Sequence, residues 1–262
     1  LERAGERDSA ILAGHFARSE SQVEAASWHE RSAAEALEKN DIAAALTLAE
    51  RGLSYVEEGE LAQSLHLTSM ECHAWSAEAA RARPHAERVY REARAGSTLW
   101  CRAVAGLAFA LPKCLARDAC AELSSALRAF DGAVQHPRAF ASALGALSTY
   151  MLRQGQHEHY RGLIERLAVL ERGGDPVVLA HALEARSWLA MFHGDFGQCL
   201  RFDREAMRLF TEAGDLRNAC RTTTSIGYDL MSLGQYELSE KAFRAALATA
   251  MRLGIPRARS EE

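Results

Sequence analysis

The chain has 262 residues, a formal net charge of −4 and 48% apolar side chains, the balance expected of an ordinary folded soluble chain. No face reads as a lysine/arginine stripe interleaved with aromatics, so nucleic-acid binding is not expected. No run approaches the roughly 18 apolar residues of a membrane span, so no membrane partner is expected.

Valine, isoleucine and threonine number only 22, which leaves little strand-forming material. Ala, Leu, Glu and Arg dominate, and all are good helix formers. Arginines outnumber lysines 28 to 3 (Lys39, Lys113 and Lys241). Arginine and alanine have GC-rich codons, so a GC-rich, bacterial source is expected. Six cysteines, at 72, 101, 114, 120, 199 and 220, form no CxxC pair. They read as buried, reduced packing residues of a cytoplasmic chain.

Apolar spacing predicts thirteen helices over 7–18, 21–38, 41–57, 59–80, 83–94, 97–111, 115–130, 137–154, 157–171, 176–193, 196–213, 215–233 and 236–252. Asn40-Asp41 and Asp215 are good caps. Arg83-Pro84, His136-Pro137 and Asp175-Pro176 read as helix starts, with proline where its missing N–H does no harm. Pro112 and Pro256 are expected to stop helices. The chain begins with Leu1 inside a helical pattern and reads as a fragment of something larger.

Three glycines, Gly155, Gly194 and Gly234, stand 39 and 40 residues apart, each between two helical runs. A fixed period near 40 residues with a turn residue in each unit marks stacked helical hairpins. Further turns are expected at Asn40, Arg81 and Cys114, giving spacings of 41, 33, 41, 39 and 40 along the chain. The fold expected is all-α: a right-handed superhelical solenoid of about six antiparallel hairpins. Residues 1–38 would be junction and cap helices, 39–254 the repeats and 255–262 a tail.

In the last unit Tyr236, Ser239, Phe243 and Ala246 fall on one helix face. Small residues there let two helices approach closely, and Phe243 is expected to fill the gap toward a following hairpin. With Ile226-Gly227, Leu230, Gly234 and Leu247 these residues hold the large/small order of the tetratricopeptide-repeat family, which the chain resembles. The unit around Gly194 fits less closely: Arg186-Ser187, Phe196, Cys199, Asp203 and Ala206 hold its places, and Asp203 departs from the usual large apolar residue. The resemblance is to the long-repeat arrays of large bacterial signalling proteins, STAND/AAA-type ATPase regulators and Ser/Thr kinase fusions. The opening stretch Leu12 to Phe16, then Ala25-Ala26 and Trp28, resembles the junction after such a switch domain. It implies that any kinase or ATPase activity belongs to another part of a parent chain.

No GxxxxGK[ST] loop, G-x-S-x-G elbow or Ser/His/Asp arrangement is present, so no catalytic residue, cofactor or metal is expected. His157-Glu158-His159 reads as a solvated helix start, and Cys72-His73 as a packing residue followed by a surface one. In a stack of hairpins the first helix of each unit lines the concave wall. The inward candidates are Trp75 and Glu78, then Arg153, then His181, Glu184 and Trp188, then Arg217, Asn218, Arg221 and Tyr228. Rigid aromatics flanked by charge suit peptide recognition, and Arg217, Asn218 and Arg221 span one turn that could hold a carboxylate. The expected function is protein–protein interaction and regulation, through a peptide or another domain of the parent chain. The alternative is a small-molecule sensor, for an oligosaccharide or signal peptide, in a transcriptional regulator.

Overall fold

The computed structural model describes residues 22–255, and every regular element among them is an α-helix. In chain order these are α1 (Gln22–Glu38), α2 (Ile42–Leu53), α3 (Gly59–Trp75), α4 (Ala79–Glu92), α5 (Thr98–Lys113), α6 (Arg117–Ala129), α7 (Pro137–Arg153), α8 (His157–Glu171), α9 (Pro176–Phe192), α10 (Phe196–Glu212), α11 (Leu216–Ser232) and α12 (Tyr236–Arg252). The helix expected over 7–18, the stretch Leu12 to Phe16 and the Pro256 stop lie outside the described residues.

Several of the helices start behind a side chain that caps them. Asp41, Asp175, Asp195 and Asp215 each accept a hydrogen bond from a backbone N–H of the first turn, and so does His136 through Nδ1. Such a side chain replaces a partner that the first turn lacks. Pro137 and Pro176 occupy the first helical position behind their caps.

Three-residue links join α1 to α2, α3 to α4, α5 to α6, α7 to α8, α9 to α10 and α11 to α12. The middle residue of each has a left-handed backbone: Asn40, Ala77, Leu115, Gly155, Gly194 and Gly234. Five of the six close with a backbone hydrogen bond spanning six residues, for example Asp195 N to Ala190 O at 3.0 Å and Glu78 N to His73 O at 2.8 Å. This closure satisfies carbonyls that the helix end leaves open and turns the chain sharply. Gly194, at φ 74°, takes this conformation without a Cβ in the way. Ala77 and Leu115 take it at a steric cost of about 1 kcal/mol.

These positions correct the expected turns at Arg81 and Cys114. The true middle residues, Ala77 and Leu115, make the spacings 37, 38, 40, 39 and 40. α3 therefore ends at Trp75, and α4 begins at Ala79 with Pro84 inside it instead of at its start. The turn forms early because the His73 imidazole donates to the Glu78 carboxylate at 2.7 Å, which a reading by Gly and Pro alone does not register. α2 ends at Leu53 rather than near 57, and α5 runs one residue past Pro112.

The described helices fall into two compact units, one through Cys114 with Gly254 and Ile255, the other from Leu115 to Leu253. In the first unit each helix packs on the next, and α3 also packs on α1 and α5. Its core includes Leu37, Ile42, Ala45 and Cys72, with Ala33, Ala49 and Leu65 beside them. In the second unit α9 packs on α7, α8 and α10, and α11 lies between α10 and α12. Phe210 is wholly buried there among Val177, Ala180, Leu183, Ala206 and Leu209. Burying one such side chain stabilises by about 1.5–3 kcal/mol.

Phe243 does not wait for a following hairpin. Its ring lies on Gly227 and edge-on to Tyr228, inside its own hairpin, and remains half-buried. Five cysteines are buried, Cys114 is half-buried, and all six are free thiols. No described helix is long and apolar enough to cross a membrane.

Candidate functional site

The expected wall residues of the second unit meet across α9 and α11. Arg221 donates from Nη2 to Glu184 Oε2 at 2.7 Å, and Thr222 donates from Oγ1 to Glu184 Oε1 at 2.8 Å. His181 donates from Nδ1 to the same Oε2 at 3.3 Å. Glu184 is largely buried, His181 is buried against the ring of Phe210, and Arg221 keeps about half its side chain in solvent. Burial alone would raise the Glu184 carboxyl; the Arg221 charge and the His181 hydrogen bond outweigh it and hold the group down at about 2. Glu184 is therefore a fixed anion at neutral pH, and it pins one helix to the other.

The carboxylates expected from a ligand are thus met within the chain. Arg221 holds Glu184, and Asn218 donates from Nδ2 to Asp215 at 2.8 Å, closing its own helix cap. Arg217 is half-buried and also engaged. Trp188, one turn beyond Glu184, is half-buried, and Tyr228, two turns beyond Arg221, is 57% exposed. Arg153 is exposed in the last turn of α7.

Trp75 and Glu78 belong to the other unit. Trp75 is half-buried against Leu37, Ile42 and Cys72, and Glu78 is taken up by His73 and by Arg81 at 3.5 Å. His73 is not the surface residue expected; it is buried and hydrogen-bonded. It stacks on His85, whose Nδ1 stands 2.8 Å from His66 Nδ1. Burial first, then the neighbouring His66, His73 and Arg88, push His85 down to about 4, and burial lowers His66 as well. His157 and Glu158 are exposed at the start of α8, and His159 reaches Ser124 at 3.0 Å.

Behind Glu184 lies a polar cluster that sequence reasoning only touched. Asp203 of α10 and Asp229 of α11 are both buried, and their carboxyls share a hydrogen bond. Two ionised carboxylates cannot make that bond, so the pair holds a proton. Burial, then the Asp229 charge, raise Asp203 well above the usual carboxylate range; burial raises Asp229. Ser187 of α9 hydrogen-bonds Asp203, while the Cys199 thiol donates to the Ser187 carbonyl at 3.3 Å. The departure of Asp203 from the apolar repeat pattern was the one sequence signal of this cluster.

Among the described residues no group of three or more His, Cys, Asp or Glu is arranged to hold a metal ion. The chain matches no protein-family model, and no curated protein matches it.

Proposed function

We propose that this chain is a non-catalytic protein-interaction and regulatory module, built as a right-handed, tetratricopeptide-like stack of helical hairpins. It binds a peptide or a partner domain along the face shared by α9 and α11. The recurrence of left-handed turn residues every 37 to 40 positions supports the repeat architecture.

The observation that carries the reading is the Glu184–Arg221 pair. It fixes α9 against α11 and leaves half of a guanidinium in solvent. Trp188 and Tyr228 stand on the same helix faces, one and two turns along. A rigid aromatic pair beside an anchored charge provides contact area at little ordering cost, which is how protein interfaces obtain most of their affinity. Because Glu184 is already paired with Arg221, Thr222 and His181, the face is preorganised.

The test is a capture with the intact chain as bait, followed by calorimetry of the purified partner. Trp188→Ala combined with Tyr228→Ala abolishes measurable binding while helicity by circular dichroism stays at the wild-type level. Undiminished binding by the folded double variant removes this face from the account. Titration of oligosaccharides or short signal peptides, followed by tryptophan fluorescence, separates this reading from a small-molecule sensor, which alone predicts a saturable change.

A further inference from the structure

The α3–α4 hairpin is fastened by imidazoles. His66 on α3 and His85 on α4 meet Nδ1 to Nδ1 at 2.8 Å, both half-buried. The His73 ring stacks on His85 with centroids 5.8 Å apart. The link between the two helices bends through Ala77, whose φ of 61° is strained for a residue with a Cβ. Of the two facing nitrogens one donates and the other accepts, so one ring must keep its Nδ1 lone pair. A first proton added to the pair leaves an N–H to share. A second leaves two N–H groups pointing at each other, and the bond is lost.

The surroundings give that second charge little compensation. Arg88 of α4 repels a charge on either ring. Glu92 favours one on His66 but is itself paired with Arg88 at 3.0 Å. Glu78 is taken up by His73, and Glu87 by Arg83 at 2.6 Å. Of the helices packed on this hairpin, α1 brings Glu30, which accepts from Ser64, and α5 brings Arg102, which pairs with Glu71 at 2.7 Å. Neither they nor α2 adds to the charges acting on the two rings.

We propose that this hairpin is an acid-opened latch: a second proton on the His66–His85 pair parts α3 from α4 and loosens the first unit, while the second unit keeps its fold. A histidine lowered in the folded chain contributes stability that is complete above its unfolded value, 6.5, and is lost as pH falls toward about 4, where His85 titrates. His66 acts in the same sense. The polar groups buried in the second unit respond differently. Glu184 keeps its charge down to about 2, and the raised Asp203–Asp229 pair contributes most when protonated. The latch does not depend on the α9/α11 recognition face.

Its test is amide exchange of the full chain between pH 7 and 4.5, each rate divided by its intrinsic value at that pH. Opening of Gly59–Trp75 and Ala79–Glu92 grows by up to about tenfold per pH unit below pH 6. Phe196–Glu212 and Leu216–Ser232 show no such rise. His66→Asn combined with His85→Asn removes the acid response, because asparagine places an amide near the Nδ1 position and does not titrate. His85→Asn alone leaves one imidazole and weakens the response, and it serves where the double variant is unfolded at pH 7. A first unit whose corrected exchange stays flat to pH 4.5 overturns the inference. So does equal opening of both units, and so does an acid response undiminished in a folded asparagine variant.

Discussion

Gly227 lies directly beneath the ring of Phe243: a Cβ at Gly227 would stand 2.6 Å from the Phe243 Cε1. The hairpin of α11 and α12 closes on this contact. Ser239, one turn before Phe243, donates its hydroxyl to the Gly227 carbonyl at 2.7 Å. Gly227→Ala therefore forces the ring outward and costs about 1–3 kcal/mol by overpacking. Phe243→Ala costs less than a core truncation because the ring is half-exposed. Phe210→Ala, at a wholly buried ring, costs about 3–5 kcal/mol. Chemical denaturation of the three variants checks the order, with Phe210→Ala the most damaging.

The Asp203–Asp229 pair makes the second unit less stable as pH rises. Both groups have folded values raised above those of the unfolded chain, by burial and, for Asp203, by the Asp229 charge. Their contribution is complete below the unfolded carboxylate value and is lost as pH rises through the folded ones. Glu184 works in the opposite sense: its depressed value contributes stability that is lost only as pH falls toward about 2. Between pH 7 and 8.5 the Cys199 thiol, raised to about 11 by burial, is still protonated. In that window amide exchange in α10 and α11 speeds up with pH beyond its intrinsic rise. Asp203→Asn flattens that extra slope, because an amide donates to Asp229 at every pH.

Asp175 holds two elements at once. Its Oδ1 accepts from the Val177 and Val178 N–H groups at 2.8 and 3.3 Å, and its Oδ2 accepts from Arg138 at 2.8 Å. Although burial acts to raise its carboxyl, these hydrogen bonds and the Arg138 charge lower it. Asp175→Ala uncaps α9 and frees it from α7, costing about 1–2 kcal/mol. Asp175→Asn keeps the cap and loses only the ion pair, so its thermal midpoint falls by less.

Much of the fold was legible because it is written in local chemistry. Asp41, Asp175 and Asp215 act as the caps they were expected to be, and Gly155, Gly194 and Gly234 take the left-handed turns. Ala77 and Leu115 take the same conformation with no residue-type signal. The Ala77 turn is closed by the His73–Glu78 hydrogen bond, which no single residue type announces, and the expected positions slipped by four residues and one. Glu184 and Arg221 were both singled out, but their union was not, since 37 residues separate them. Asp229 was invisible for the same reason: it is one polar residue on a helix face until Asp203 arrives from the neighbouring helix.

The proposed recognition face is that of α9 and α11, anchored by Glu184 and Arg221. Hydrogen–deuterium exchange of the chain, free and bound to its captured partner, tests this most directly. Slowed exchange is expected in Pro176–Phe192 and Leu216–Ser232. Protection confined to other helices, with these two unchanged, would contradict it.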